Sequence, residues 1–144
     1  MIKTIRDIKF WICALLLTLS VTSIAEDDIF RARIYNKEYD VFLKINLYEE
    51  TEMIPGQDIL GQTYGYLKKS TDQRVWIITG VEIDKSGKSA QLEMINDYGS
   101  EDLTATLTYE SDSTYTLKQE MGSTLKVAGK GKWIKLPKTM TFKK

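Results

Sequence analysis

The stretch RVWIITGVEIDKSGKSAQLEMIN, residues Arg74–Asn96, has the pattern of a β-strand, a tight turn and a second β-strand. Side chains alternate between the two faces of a strand. One face of the first strand would carry Val75, Ile77, Val81 and Ile83. The opposite face would carry Trp76, Ile78, Gly80 and Glu82. Because the second face also holds large apolar side chains, either both faces are buried or one of them lines a cavity.

The chain after residue 25 repeats this pattern of short strands and turns. The strongest strand signal is YDVFLKINLY, residues 39–48, in which apolar residues alternate with Phe42, Lys44 and Asn46. The acidic segment Glu49–Asp58 contains Pro55-Gly56 and is predicted to be a loop. Further strands are predicted over residues 29–35, 62–69, 90–96, 103–110 and 114–120, with three more after residue 123.

These segments predict an all-β fold. No segment after Ala25 has an apolar stripe of helical spacing over ten residues or more. Short hairpin turns, such as Asp84–Lys88, favour an up-and-down meander. Gly65 and Gly80, inside predicted strands, indicate sharp bends of a curled sheet. We therefore expect a single antiparallel meander closed into a small β-barrel, with a β-sandwich as the alternative.

The N-terminal segment has the features of a secretory signal peptide. Three basic residues precede the apolar run FWICALLLTLSV, and Ser23 and Ala25 occupy the small-residue positions of a cleavage site. We predict a signal peptide over residues 1–25 and a barrel domain over residues 26–144. The protein would then be periplasmic or secreted, without a stable membrane span after cleavage. The alternative is an uncleaved N-terminal anchor.

Cysteine usage and charge narrow the function classes. The only cysteine, Cys13, lies inside the apolar run, so the exported domain would have to fold without disulfides. Without residues 1–25 the chain has 17 basic and 19 acidic residues, which argues against nucleic acid as a partner. Seven lysines and no acidic residue follow Glu120, which predicts a basic end on an acidic body.

Five ordered segments resemble small secreted bacterial proteins of the lipocalin-like or a related antiparallel-barrel type. They are GQTYGYLKK, VWIITG, AQLEMINDYG, TATLTYE and GKGKWIKLPKTMTF. In such proteins a Gly-and-Tyr strand, an apolar strand ending in Gly, an LE strand and a late Gly-x-Trp strand follow in this order. The resemblance covers about residues 61–144, and it implies a barrel fold rather than any particular activity.

The residue inventory argues against an enzyme. The chain contains no histidine, which excludes a Ser-His-Asp triad, a Cys-His pair and a His-bearing zinc site. A carboxylate-only hydrolase would need two acids across a cleft, and Glu82, Asp84 and Glu93 are the candidates. Acidic residues beside a Lys-Ser-Gly turn are normally a solvated surface, so no catalytic residue is predicted.

No cofactor or metal is predicted either. The segment NDYGSED, residues 96–102, gathers oxygen ligands of the kind that calcium prefers. Its spacing does not match a helix–loop–helix calcium loop. A turn that uses Asn, Asp and Gly for their backbone angles explains the same residues.

Two places are candidates for ligand binding. The first is an apolar lumen near Trp76, Ile78, Tyr64 and Tyr66. The second is a basic face near Trp133, Lys130 and Lys132, suited to anionic envelope polymers or an acidic partner. Plain packing of the aromatic residues, and edge protection by the lysines, are the competing interpretations.

We therefore expect an exported, non-catalytic binding protein that holds a small ligand, an envelope polymer or a protein. The alternative is a proteinaceous inhibitor that inserts Glu49–Asp58 into the cleft of a secreted hydrolase. A large apolar cavity would favour the first hypothesis. A protruding, ordered loop over a filled core would favour the inhibitor.

Overall fold

The computed structural model of the chain describes residues 28–97 and 99–144. Over this part it contains a closed barrel of eight antiparallel strands. The predicted signal peptide, residues 1–25, lies outside the described residues. The all-β prediction and the choice of a barrel over a sandwich are confirmed.

The barrel strands are β1 (Arg31–Asn36), β2 (Val41–Asn46), β5 (Gly65–Lys69), β6 (Val75–Ile83), β7 (Ser89–Asn96), β8 (Asp102–Ser111), β9 (Thr114–Gly122) and β12 (Thr139–Lys143). Each barrel strand pairs with the barrel strand before it and the one after it along the chain. The barrel closes where β1 meets β12, with Tyr35 opposite Lys143. This order is the predicted up-and-down meander, and it closes the barrel sheet without a free edge.

Two small sheets lie outside the barrel. One pairs β3 (Glu52–Met53) with β4 (Gln62–Thr63), and a 3₁₀ turn over Asp58–Leu60 lies between them. The other pairs β10 (Lys126–Gly129) with β11 (Lys132–Lys135). The sequence pattern predicted a loop over residues 49–58. This prediction is wrong for Glu52–Met53, which form a strand.

The barrel interior is filled with apolar side chains. In β8 the alternation is regular, since Leu103, Ala105 and Leu107 are buried while the threonines between them are exposed or half-buried. In β2 the inward residues Val41, Leu43 and Ile45 are at most 1% exposed. We expect this packed interior to be the main source of stability.

A β-bulge corrects the predicted faces of β6. Ile78 pairs with Met94, but Gly80 pairs with Glu93, so Thr79 is an extra residue in this strand. The extra residue reverses the alternation. Trp76 and Ile78 point inward before the bulge, and Val81 and Ile83 pack against the same core after it. The sequence pattern wrongly placed Val75 and Ile77 on the same face as Val81 and Ile83.

Val75 and Ile77 belong to a second, smaller core on the outside of the barrel. They cluster there with Phe42, Tyr66 and Ile54. Ile54 is 1% exposed and comes from the segment between β3 and β4, which folds back over the barrel wall. Both faces of this part of β6 are therefore buried, which explains a strand that is apolar on both sides.

Gly65 allows β5 to pass close to β2. A Cβ atom at this position would lie 2.2 Å from the carbonyl oxygen of Lys44, and φ is +142°. The bend expected from a glycine within this strand is present, and it interrupts the predicted strand 62–69 at Tyr64.

The two ends of the barrel are closed differently. At one end, called here the aromatic end, the Asp28–Phe30 turn covers the core, and the hydroxyl of Tyr115 donates to the carbonyl of Ile29. At the other, called here the hairpin end, apolar residues within the β10–β11 hairpin and next to it join the main core. These residues are Leu125, Val127 and Leu136.

Candidate functional site

Four of the seven predicted binding residues meet at the hairpin end. Trp76 and Trp133 line one cleft, and Lys130, Lys132 and Trp133 line the groove beside it. The three others, Ile78, Tyr64 and Tyr66, lie elsewhere. Residues predicted for two different sites therefore partly converge on one end of the barrel.

Ile78 and most of Trp76 are parts of the packed core. Ile78 is 0% exposed and Trp76 is 4% exposed. The indole Nε1 of Trp76 donates a hydrogen bond of 3.0 Å to the carbonyl oxygen of Lys126 in the β10–β11 hairpin. Trp76 therefore holds the hairpin on the barrel, and its outer edge forms the floor of the cleft.

The two predicted tyrosines lie away from the hairpin end's grooves. Tyr66 faces outward under Ile54, with its ring centroid 6.0 Å from that of Phe42 in an edge-on arrangement. Burial raises the pKa of Tyr66. Tyr64 is half-buried against the main core, and the nearby negative charge of Glu50 raises the pKa of its phenol.

The β10–β11 hairpin presents its turn to solvent. Gly129 pairs with Lys132, and the two residues between them, Lys130 and Gly131, have φ angles of +36° and +80°. Positive φ at both central residues is the requirement of a type I′ turn, which normally uses Asn or Gly. Lys130 is therefore an uncommon residue for its backbone conformation.

Trp133 is the aromatic centre of this surface. Half of its side chain is exposed, at 50%, although it is ordered within β11. The guanidinium of Arg74 lies 4.9 Å from the ring centroid, and the ammonium of Lys126 lies 5.7 Å from it. Both cations are within the range of attraction to an aromatic ring. Lys126 is also held by Glu101, at 2.7 Å.

Trp133 separates two depressions. The smaller is the cleft of about 130 Å³ above Trp76, between the hairpin and the loops around Arg74 and Glu101. The larger is an open groove of about 850 Å³ between the hairpin turn and the β5–β6 connection. We call the larger depression the basic groove.

Positive charge dominates the basic groove. Its lining includes the cations of Lys69, Arg74, Lys130 and Lys132, against two carboxylates, Asp40 and Asp72. Both carboxylates have partners in the fold. Asp40 accepts a hydrogen bond of 2.5 Å from the hydroxyl of Tyr35, which lowers the pKa of Asp40, and Asp72 lies 3.7 Å from Arg74.

The lysines of the groove keep their charge available. The ion pairs formed among residues 28–97 and 99–144 do not include Lys69, Lys130 or Lys132. Lys69 donates instead to the neutral carbonyl of Tyr39, at 3.2 Å. An anion entering the groove would therefore meet two cations, Lys130 and Lys132, that it need not separate from a carboxylate.

Lys69 and Arg74 were not predicted as site residues. They lie about sixty residues before the hairpin in the chain, at the two ends of the β5–β6 connection. The only local signal was the basic pair Lys68-Lys69, followed after the turn by Arg74. Their contribution depends on how the hairpin folds onto the barrel.

The carboxylates considered for catalysis lie on the outer surface. Glu82 and Glu93 line a depression on the barrel wall. Asp84 accepts a hydrogen bond of 2.5 Å from the Ser86 hydroxyl, and this bond lowers its pKa. A lowered pKa is the opposite of what a general acid needs.

In the segment considered for calcium, the described residues 99–101 are hydrogen-bonded back to Asn96. The side-chain oxygen of Asn96 accepts hydrogen bonds from the backbone N–H groups of Ser100, at 3.0 Å, and Glu101, at 3.4 Å. Within the described part of the chain, no three His, Cys, Asp or Glu side chains are grouped so that they could hold a metal ion.

The described residues contain no helix long and apolar enough to cross a membrane. No protein-family model matches the chain, and neither a curated protein nor a solved structure matches it. Function must therefore be argued from the basic groove itself.

Proposed function

We propose that the protein is a non-catalytic binding module that holds an anionic ligand in the basic groove. The observation that carries the proposal is the half-exposed ring of Trp133, which lies near two cations and beside two lysines, Lys130 and Lys132, that are in none of the ion pairs of the described residues. In such a surface the exposed aromatic ring can make apolar contact with a ligand, while the surrounding cations attract its negative charge.

Edge protection explains the lysines of the groove less well. Protective lysines lie along the free edge of a strand. Lys132 begins β11, an edge strand of its two-stranded sheet, but Lys130 is in the turn, where edge protection does not account for it. Edge protection also gives no reason for leaving half of Trp133 in water.

The filled interior supports the groove over a lumen as the binding site. Ile78 has no exposed surface, and inward-facing side chains from all eight barrel strands pack into one core. A ligand in the lumen would have to displace this core.

We keep export to the periplasm or the medium, and a lipocalin-like kinship, as parts of the proposal, because the predicted signal peptide and the barrel shape agree with both.

Calorimetric titration of the purified protein with soluble polyanions tests the proposal. We expect binding that weakens as salt rises, because surface charges are screened. Replacing Lys130 and Lys132 by Gln should weaken it about tenfold or more, which corresponds to about 1.4 kcal/mol. Absence of binding to every polyanion would overturn the proposal.

A matched control is available at the opposite end of the barrel. Lys85 and Lys88 are exposed in the Asp84–Lys88 turn, far from the groove. Replacing both by Gln removes the same charge, so it should leave affinity nearly unchanged. Equal losses from the two double variants would mean that only net charge matters, which would contradict a groove-specific site.

One observation favours the inhibitor alternative. Ile59, in the 3₁₀ turn between β3 and β4, is fully exposed, while Ile54 of the same segment is buried as an anchor. A loop that is anchored by a buried side chain and has an apolar tip could enter the cleft of a secreted hydrolase. If so, the protein should inhibit at least one of a panel of secreted proteases and glycosidases, and Ile59→Asp should abolish the inhibition.

A further inference from the structure

We infer that the anionic ligand is an acidic polysaccharide, bound across the basic groove with one sugar ring on Trp133. This inference rests on the proposed function and names its ligand class. It combines three features of the site: an open shape, an exposed indole and a lysine in a strained turn.

The shape of the groove suits a polymer. Enclosed sites for small molecules bury most of the ligand surface. The basic groove instead lies open between the hairpin turn and the β5–β6 connection, with Lys69 on one side and Lys130 on the other. A chain molecule can lie across such a groove and continue beyond it at both ends.

The half-exposed Trp133 indicates that the polymer carries more than charge. A simple phosphate chain is bound by N–H donors and has no apolar face that could pack on an indole ring. A sugar ring has one apolar C–H face that can lie on an aromatic ring, and a rim of hydroxyls that remain hydrated. The 50% exposure of Trp133 leaves room for such a contact.

The turn residue Lys130 supplies an independent reason for an anion. Its φ of +36° lies in the region that favours Gly and Asn, so the turn itself does not call for lysine. Residues in unfavourable backbone conformations occur often at functional sites. A cation kept at the turn, next to Lys132 and facing Lys69 across the groove, fits a ligand with repeated negative charges.

The cations present favour dispersed charges over a single phosphate clamp. Lysine is a compact, hydrated point charge, whereas arginine binds phosphate through a bidentate fork. The one arginine of the groove, Arg74, is already placed near Asp72 and over the Trp133 ring. One carboxylate per sugar along a chain matches separate lysines.

The test compares four probes by calorimetry: polygalacturonate, its methyl ester, polyphosphate and a single-stranded oligonucleotide. We expect polygalacturonate to bind at least tenfold more tightly than each of the other three. Trp133→Ala should weaken polygalacturonate binding tenfold or more, while Trp133→Phe, which keeps a ring, should weaken it less than fivefold. Circular dichroism of each variant shows whether it remains folded.

The outcomes separate this inference from the proposed function. If polyphosphate binds as tightly as polygalacturonate and Trp133→Ala changes neither, the groove binds anions but the saccharide inference is wrong. Tighter binding of the oligonucleotide would also overturn it. If no probe binds, the proposed function is overturned together with the inference.

Discussion

The aromatic end and the hairpin end of the barrel perform the same structural task with different chemistry. At the aromatic end, Phe30 is completely buried, and the rings of Tyr109 and Tyr115 pack 5.2 Å apart. At the hairpin end, Trp76 and apolar residues near the hairpin cover the core, but the outer surface carries exposed cations and Trp133. The comparison shows that apolar and aromatic side chains close the aromatic end, whereas the hairpin end also exposes a basic surface, the one that we propose as the binding site.

Phe30→Ala should have the largest effect, because it opens the aromatic end. Truncating a fully buried phenylalanine costs about 3–5 kcal/mol in unfolding free energy. Urea unfolding measures the change, and Ile134→Ala, at a half-buried hairpin position, should cost clearly less. Polyanion affinity of the folded fraction should not change. A Phe30→Ala loss smaller than that of Ile134→Ala would contradict the assignment of Phe30 as the main closure of its end.

Trp76→Phe should release the hairpin end. It removes the donor to the Lys126 carbonyl and part of a buried ring, which should cost about 1–3 kcal/mol. Hydrogen exchange should show lost protection in residues 126–136 while β8 keeps its protection. Uniform loss over the whole barrel would mean that the hairpin is not a separately opening unit.

Tyr115→Phe tests the aromatic end through the pH dependence of the free energy of unfolding. Burial raises the pKa of Tyr115 from 10.0 to about 12, so the folded state holds a proton that the unfolded chain loses earlier. The stability that this phenol contributes is complete below pH 10 and is lost as pH rises towards 12. The variant should be about 1 kcal/mol less stable at pH 7, since it lacks the bond to Ile29.

The difference in stability between the two proteins should therefore narrow between pH 10 and pH 12. Denaturant unfolding at several pH values gives this difference directly, and other groups that titrate in the range are common to both proteins. A difference that stays constant up to pH 12 would show that Tyr115 ionises as easily in the folded state as in the unfolded chain.

Lys130→Asn should have the smallest effect on the free energy of unfolding. Whether the variant gains or loses stability shows whether Lys130 supports the fold. Asparagine tolerates a positive φ better than lysine, so the variant should be as stable as the parent or gain less than about 1 kcal/mol. Its polyanion affinity should nevertheless fall. Lys132→Asn, within strand β11, should give no gain in thermal stability. A clear loss of stability in Lys130→Asn would show that Lys130 supports the fold rather than a ligand.

Only the part of the candidate site that lies in the β10–β11 hairpin could be predicted from the sequence. Trp133, Lys130 and Lys132 are close in the sequence, so a local pattern could find them. Arg74 and Lys69 reach the same groove from the β5–β6 connection. No local pattern indicates that β10 and β11 leave the barrel sheet and pack across its end.

The amino-acid sequence by itself determined the strands, their turns and the meander order, because alternation and turn residues act between near neighbours in the chain. Tertiary structure decided which residues of β6 face the main core and that both faces of its first half are buried. The bulge at Thr79 reverses the faces of β6, and Ile54 folds back to bury the side that carries Val75 and Ile77. Both outcomes depend on pairing and packing between residues far apart in the chain. The alternation of apolar residues along a single strand does not contain this information.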